Sequence, residues 1–144
     1  MRGLVADASA TMRALAKNAL RRAGATEVLT AATVEEALAA CETPFEIAVV
    51  DRDFGTGPGW TWLSELREKA CPEGRLIVTG TRVTRDEVEA MRTLGAGAFL
   101  LKPLDPERLA ERVQVLLAGP ASEAAEGEAS GEPESGEEPL AEAA

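Results

Sequence analysis

Five short apolar runs, each followed by an amphipathic stretch, constrain this chain most. They read GLVA at 3–6, TEVLTA at 26–31, FEIAVV at 45–50, RLIVT at 75–79 and AFLL at 98–101. Runs of this length suit strands buried on both faces. The segments between them carry helix signals. Met12, Leu15, Ala16, Ala19, Leu20 and Ala23 recur at the spacing of one helix face, and Gly24 follows where a helix commonly closes. TVEE at 33–36 and TRDE at 84–87 are capping-box patterns that open two further helices, the second of which ends by Gly95. Another helix runs from about Gly59 to Ala70 with Leu63 and Leu66 on its inner face, Trp62 pointing inward and Trp60 at the core's edge. Asp105 caps a last helix whose first position is Pro106, where a missing N–H costs nothing.

Five strand–helix units in strict alternation predict an α/β fold, a parallel sheet covered by helices on both faces. Right-handed crossovers make it an open doubly wound sheet. Such sheets bind ligands outside the carboxyl ends of their strands. Asp7, Asp51, Thr79 and Lys102 each stand at the end of a different run, so all four converge on that edge. Two acids, a hydroxyl and an ammonium together suit a divalent cation and a phosphoryl group. Asp53 lies two residues beyond Asp51 in the stretch VVDRDFG.

Charge and composition narrow the function classes. Net charge is −10, yet residues 119–144 hold eight Glu and no Lys or Arg, which leaves 17 acidic against 15 basic residues before them. The folded part, 1–118, is therefore near neutral and lacks a basic footprint for nucleic acid. The segment 119–144, rich in Ala, Glu, Gly, Ser and Pro, cannot bury enough apolar surface to offset its ordering entropy and is expected to be a disordered acidic tail. No apolar run is long enough to span a bilayer, and the start MRGLVAD is unlike a secretory signal. With no His, and with Cys41 and Cys71 far apart, zinc has almost no ligands to draw on. Two reduced thiols in a cytoplasmic protein are expected.

Taken in order, these residues resemble a response regulator receiver domain. LVADASATMR is similar to that family's opening strand and first helix, and AVVDRDFGTGPGWTWLSELR to the segment around its phosphoacceptor. LIVTG is similar to its switch strand and LGAGAFLLKPL to its closing strand. The resemblance covers about residues 3–117 and implies the flavodoxin-like strand order 2-1-3-4-5. It implies that Asp51 accepts a phosphoryl group from a kinase phosphohistidine, that Lys102 and Thr79 bind phosphoryl oxygens, and that magnesium sits among Asp7, Asp51 and Asp53. It further implies that Thr79 and Phe99 shift together to reshape the last two helices and the fifth strand for an output protein. A histidine kinase or phosphotransfer protein would be the upstream partner. The Lys102–Pro103 bond is expected to be cis, aiming the ammonium back at Asp51.

Two departures stand out. The family's second adjacent acid after the first strand is Ala8 here, so one direct magnesium ligand is missing and the metal should bind weakly. The usual Met-Pro pair after the acceptor is Phe54-Gly55, and Pro58 precedes Gly59, which predicts a loop of different shape and more freedom. Asp53 is expected to make up part of the lost acid. The expected function is thus a non-enzymatic stand-alone response regulator, at most labelling itself from small donors and losing the label by itself. No DNA-binding second domain is expected from this sequence. One alternative is a pseudo-receiver, a binding module that works without phosphorylation, supported by Ala8. A remoter one is an Asp-x-Asp phosphatase reading of Asp51 and Asp53, opposed by the motif's place on the third strand.

Overall fold

A computed structural model describes residues 1–55, 60–71 and 75–118. The expected Gly59 helix start, Pro58 and the acidic segment 119–144 lie outside the described residues. The chain alternates β1 (Arg2–Ala6), α1 (Ala10–Arg22), β2 (Glu27–Ala31), α2 (Val34–Ala39), β3 (Ile47–Asp51), α3 (Thr61–Ala70), β4 (Arg75–Gly80), α4 (Arg85–Thr93), β5 (Ala98–Leu101) and α5 (Pro106–Ala118). The strands form one parallel sheet in the order β2-β1-β3-β4-β5, as expected. Every residue of β3 is buried, which is why its sequence is a continuous apolar run rather than an alternating one.

Side chains alternate across the sheet and split the core into two layers. Leu4, Ala48, Val50, Leu76 and Val78 face Trp62, Leu63 and Leu66 of α3 and Met91 of α4. Val5, Ile47, Val49 and Ile77 face Ala16, Ala19 and Leu20 of α1 and Leu109, Val113 and Leu116 of α5. Gly3 lets α1 lie close on the sheet: a Cβ there would stand 2.8 Å from a Leu20 methyl and 3.1 Å from an Ile47 methyl.

The helix boundaries follow the expected chemistry at most points. Gly24 and Gly95 take φ of +111° and +106°, the left-handed turn that closes α1 and α4. Behind them, Ala25 N donates to Leu20 O and Ala96 N to Met91 O, which satisfies the last carbonyls. Thr84 and Glu87 make the full reciprocal capping box. The pattern at 33–36 is only half realised. The Thr33 hydroxyl accepts from Glu36 N, but the Glu36 carboxylate accepts from Ala32 N, one residue before the cap. Asp105 Oδ1 accepts from Glu107 N at the start of α5.

The described part of the third helix begins at Thr61, after a Trp60 in the left-handed region at φ +53°, ψ +39°. A bulky residue adopts that conformation only where its surroundings hold it. Here the Trp60 indole N–H donates to Arg52 O at 3.1 Å, and the Arg52 guanidinium lies 5.3 Å from the ring centroid.

Candidate functional site

The sheet register brings the expected residues together. Ala6 pairs with Val50 across β1 and β3, so the next residue, Asp7, stands beside Asp51. Asp51 pairs with Thr79 across β3 and β4. Gly80 pairs with Leu101, and Lys102 follows at once, its N–H donating to Gly80 O at 2.7 Å. The Lys102–Pro103 bond is cis.

The Lys102 ammonium reaches back over the strand ends, 2.8 Å from Asp7 Oδ2 and 3.1 Å from Asp51 Oδ1. Asp7 Oδ1 also accepts from Ser9 N at 2.8 Å, the first turn of chain leading to α1. All three charged side chains are largely buried, at 14%, 7% and 12% exposure for Lys102, Asp7 and Asp51. One cation thus serves two carboxylates, a net charge of −1 held out of water.

The acid–base consequences follow from that imbalance. Burial raises the Asp51 carboxyl above the ordinary aspartate value; the hydrogen bond and charge of Lys102 oppose this, while Asp7 and Asp53 add to it. Burial would lower the Lys102 ammonium, but its hydrogen bonds to Asp7 and Asp51 outweigh that and raise it above the ordinary lysine value. The lysine therefore stays charged, and Asp51 is a more basic carboxylate than a solvated one. Thr79 lies beside it, 1% exposed. Phe99, on β5, is 5% exposed and belongs to the same core layer as Met91 of α4.

Asp53 is placed differently from its expected role. Its carboxylate is 72% exposed and lies 3.3 Å from Arg52 Nε, on the solvent side of the loop. Among the described residues no group of three or more Asp, Glu, Cys or His is arranged to hold a metal. The two carboxylates of Asp7 and Asp51 are hard oxygen donors that already attract one cation. They suit magnesium, which takes one or two carboxylates and completes its shell with water.

In the first part of the loop after the acceptor, Phe54 is packed inward at 9% exposure, its ring centroid 6.1 Å from that of Trp62. Gly55 lies flat beneath the indole, where a Cβ would meet Trp62 ring atoms at 2.4 Å. Phe54 and Gly55 are thus held against the Trp62 indole.

Two neighbours escaped the sequence reading. Arg13 donates to the carbonyl oxygens of Asp7 at 2.8 Å and Ala8 at 3.1 Å, fixing the turn that carries the first acid. Arg52 makes a two-pronged pair with Glu87, Nη1–Oε1 at 2.8 Å and Nη2–Oε2 at 3.1 Å. Glu87 was legible as a capping residue; nothing in the sequence joined it to Arg52, 35 positions earlier.

Comparison with known proteins agrees with this geometry. The family model for the response regulator receiver domain matches residues 4–114. The chemotaxis protein CheY1 of Helicobacter pylori is 31% identical over 124 residues, covering 81% of this chain and 97% of that protein. The transcriptional regulatory protein PcoR of Escherichia coli is 34% identical over 87 residues, which cover 60% of this chain but only 38% of that regulator. Among solved structures, the chemotaxis response regulator CheY4 of Vibrio cholerae superimposes with a TM-score of 0.67 at 27% identity, covering 78% of this chain and 95% of that one.

Proposed function

This chain belongs to the response regulator receiver family of two-component signalling, and we propose that it accepts a phosphoryl group on Asp51 and passes the signal to a protein partner. Receiver domains in general are signalling proteins rather than enzymes and work between kinases or phosphotransfer proteins and output targets. The observation that supports the reading best is the Lys102 ammonium bridging Asp7 and Asp51 at adjacent strand ends, with Thr79 beside them.

The chemistry follows from the residues. The Asp51 carboxylate, its basicity raised by burial, attacks the phosphorus of a phosphohistidine. An O–P bond forms while the P–N bond breaks, and the imidazole leaves with the electron pair. Transfer of this kind needs chiefly positioning and charge neutralisation. Lys102 and the Thr79 hydroxyl bind phosphoryl oxygens, and Lys102 then exchanges part of its attraction to Asp51 for the incoming group. Magnesium, held by Asp7, Asp51 and the backbone carbonyl of Asp53, would supply the positive charge that one lysine cannot. The Asp53 carboxylate joins that set only if it leaves Arg52. The Ala8 methyl offers no ligand, so the metal binds more weakly than at a two-acid site.

The receiver unit is taken to span 1–118, with 119–144 a separate acidic segment. Its closing helix is tied to the sheet where Arg75 Nε donates to Leu116 O at 2.9 Å. Output runs through α4, β5 and α5, where Val115 offers 53% exposed apolar surface. A second reading, a binding module that never takes up phosphate, is favoured by Ala8 alone.

Labelling with acetyl phosphate separates them. Wild type should label slowly, Ala8→Asp should label faster at limiting magnesium, and Asp51→Asn should not label at all. Labelling of Ala8→Asp but never of wild type would establish the second reading. Failure of both would place the defect in the Phe54–Gly55 loop.

A further inference from the structure

Arg52 directly follows the acceptor, yet its side chain is committed elsewhere. Its backbone N–H donates to Thr79 O at 2.7 Å, which ties it to the residue carrying the switch hydroxyl. Its guanidinium then crosses the end of β4. Nη1 donates to Arg82 O at 3.0 Å in the loop before α4, and both terminal nitrogens pair with Glu87. Glu87 is the residue that caps α4: its Oε1 also accepts from Thr84 N at 2.9 Å, and its N–H donates to Thr84 Oγ1 at 3.0 Å. Trp60 lies against the other side of the guanidinium.

The crossing depends on Gly80. A Cβ there would stand 2.7 Å from Arg52 Cγ, 2.8 Å from Arg52 Cδ and 3.2 Å from Phe99 Cζ. The arginine stem and the Phe99 ring therefore share the space above one glycine, and in a close-packed interior neither shifts without moving the other. A guanidinium held at this many points cannot follow its own backbone without stretching the Glu87 pair or carrying the first turn of α4 along.

We propose that Arg52 is a positioning residue whose clamp on Glu87 makes the first turn of α4 respond to the charge on Asp51. This rests on Asp51 being the acceptor. An acyl phosphate adds negative charge on the residue that directly precedes Arg52, draws the guanidinium off Glu87 and loosens the cap. Removing the Asp51 charge has the opposite effect. The α4 surface is thereby set by a charged clamp as well as by Thr79 and Phe99.

Amide hydrogen exchange of Glu87 and Val88, whose N–H groups donate to Thr84 Oγ1 and Thr84 O, reads the clamp directly. Leu109 N, which donates to Asp105 O at the start of α5, serves as the control. In wild type, labelling with acetyl phosphate should speed exchange at Glu87 and Val88 at least fivefold, and Asp51→Asn should slow it at least threefold, with Leu109 unmoved. In Arg52→Met, which keeps the stem but not the charge, both responses should fall below twofold while labelling persists. Glu87→Gln keeps an oxygen for the cap, so exchange stays measurable, and its responses should fall below twofold as well. Full responses in Arg52→Met or Glu87→Gln would overturn the clamp while leaving the acceptor assignment intact. If wild type never labels, the acceptor assignment falls, and the Asp51→Asn response, present with Arg52 and lost in Arg52→Met, still decides the clamp.

Discussion

The two ends of the sheet hold ion clusters built from the same chemistry to opposite effect. At the amino end, Arg2 Nε pairs with Glu27 at 2.9 Å, its guanidinium lies 4.1 Å over the Phe45 ring, and its backbone N–H donates to Glu46 at 2.7 Å. Its Nη1 also donates to the carbonyls of Thr43 and Pro44. The acids there are 54% and 62% exposed, so water screens whatever charge is left unmatched. At the carboxyl end, Lys102 is asked to neutralise two acids that are 7% and 12% exposed. With the Met1 ammonium 4.0 Å from Glu46, two cations face two acids at the amino end, and that cluster is matched and wet. The other is mismatched and dry, and an incoming cation would complete it. The difference separates a fastening from a site: chemical potential for binding is stored where burial leaves charge uncompensated.

The comparison breaks hardest at Lys102. Lys102→Met would strand two buried carboxylates, at a cost of about 3 kcal/mol. Thermal unfolding should move down by roughly 10 °C in a domain of this size, and part of the loss should return as pH falls and the acids take up protons. A shift no larger than that of an amino-end variant would mean the two clusters are alike.

Asp51→Asn should act in the other direction. The folded Asp51 carboxyl is raised, so the folded protein holds this proton more tightly than the unfolded chain. Stability from this group is present at low pH and is lost as pH rises through the folded value. The substitution removes that loss and should stabilise by about 1 kcal/mol at neutral pH. The gain should shrink toward zero in acid. Denaturant unfolding at several pH values measures it, and a destabilised Asp51→Asn would show that Lys102 fully compensates the wild-type acid.

Glu87→Gln should cost somewhat less, on the order of 0.5–1 kcal/mol. The Arg52 hydrogen bonds outweigh burial and hold the Glu87 carboxyl below the ordinary glutamate value. Its contribution is therefore present above the unfolded value and lost as pH falls through the folded one. Wild type and variant should converge in acid because the wild type loses its pair there, whereas Lys102→Met converges because its stranded acids take up protons. At the amino end, Glu27→Gln should cost about 0.3 kcal/mol and vanish in high salt. A larger or salt-insensitive effect would show that this exposed pair is held more tightly than its exposure implies.

Much of this was legible along the chain because it depends on short-range pattern. Apolar runs marked the strands, Gly24 and Gly95 marked helix ends that need a left-handed residue, and Thr84 with Glu87 marked a cap. In a parallel sheet the strand ends share one edge, so Asp7, Asp51, Thr79 and Lys102 could be brought together before any coordinate was known. The direction of Asp53 could not. Its neighbour Arg52 offers a cation at 3.3 Å, and that choice depends on where side chains already packed leave room. Trp60 was legible as an edge aromatic but not as a left-handed residue, because its backbone is held by the Arg52 carbonyl and guanidinium. The Arg52–Glu87 clamp was also invisible, since it joins positions 35 apart through a gap that exists only because Gly80 has no side chain. Sequence by itself determined the elements, their alternation and the edge where charge collects. The tertiary structure alone decided how that charge is shared, because burial and ion pairing act between residues that only folding makes neighbours.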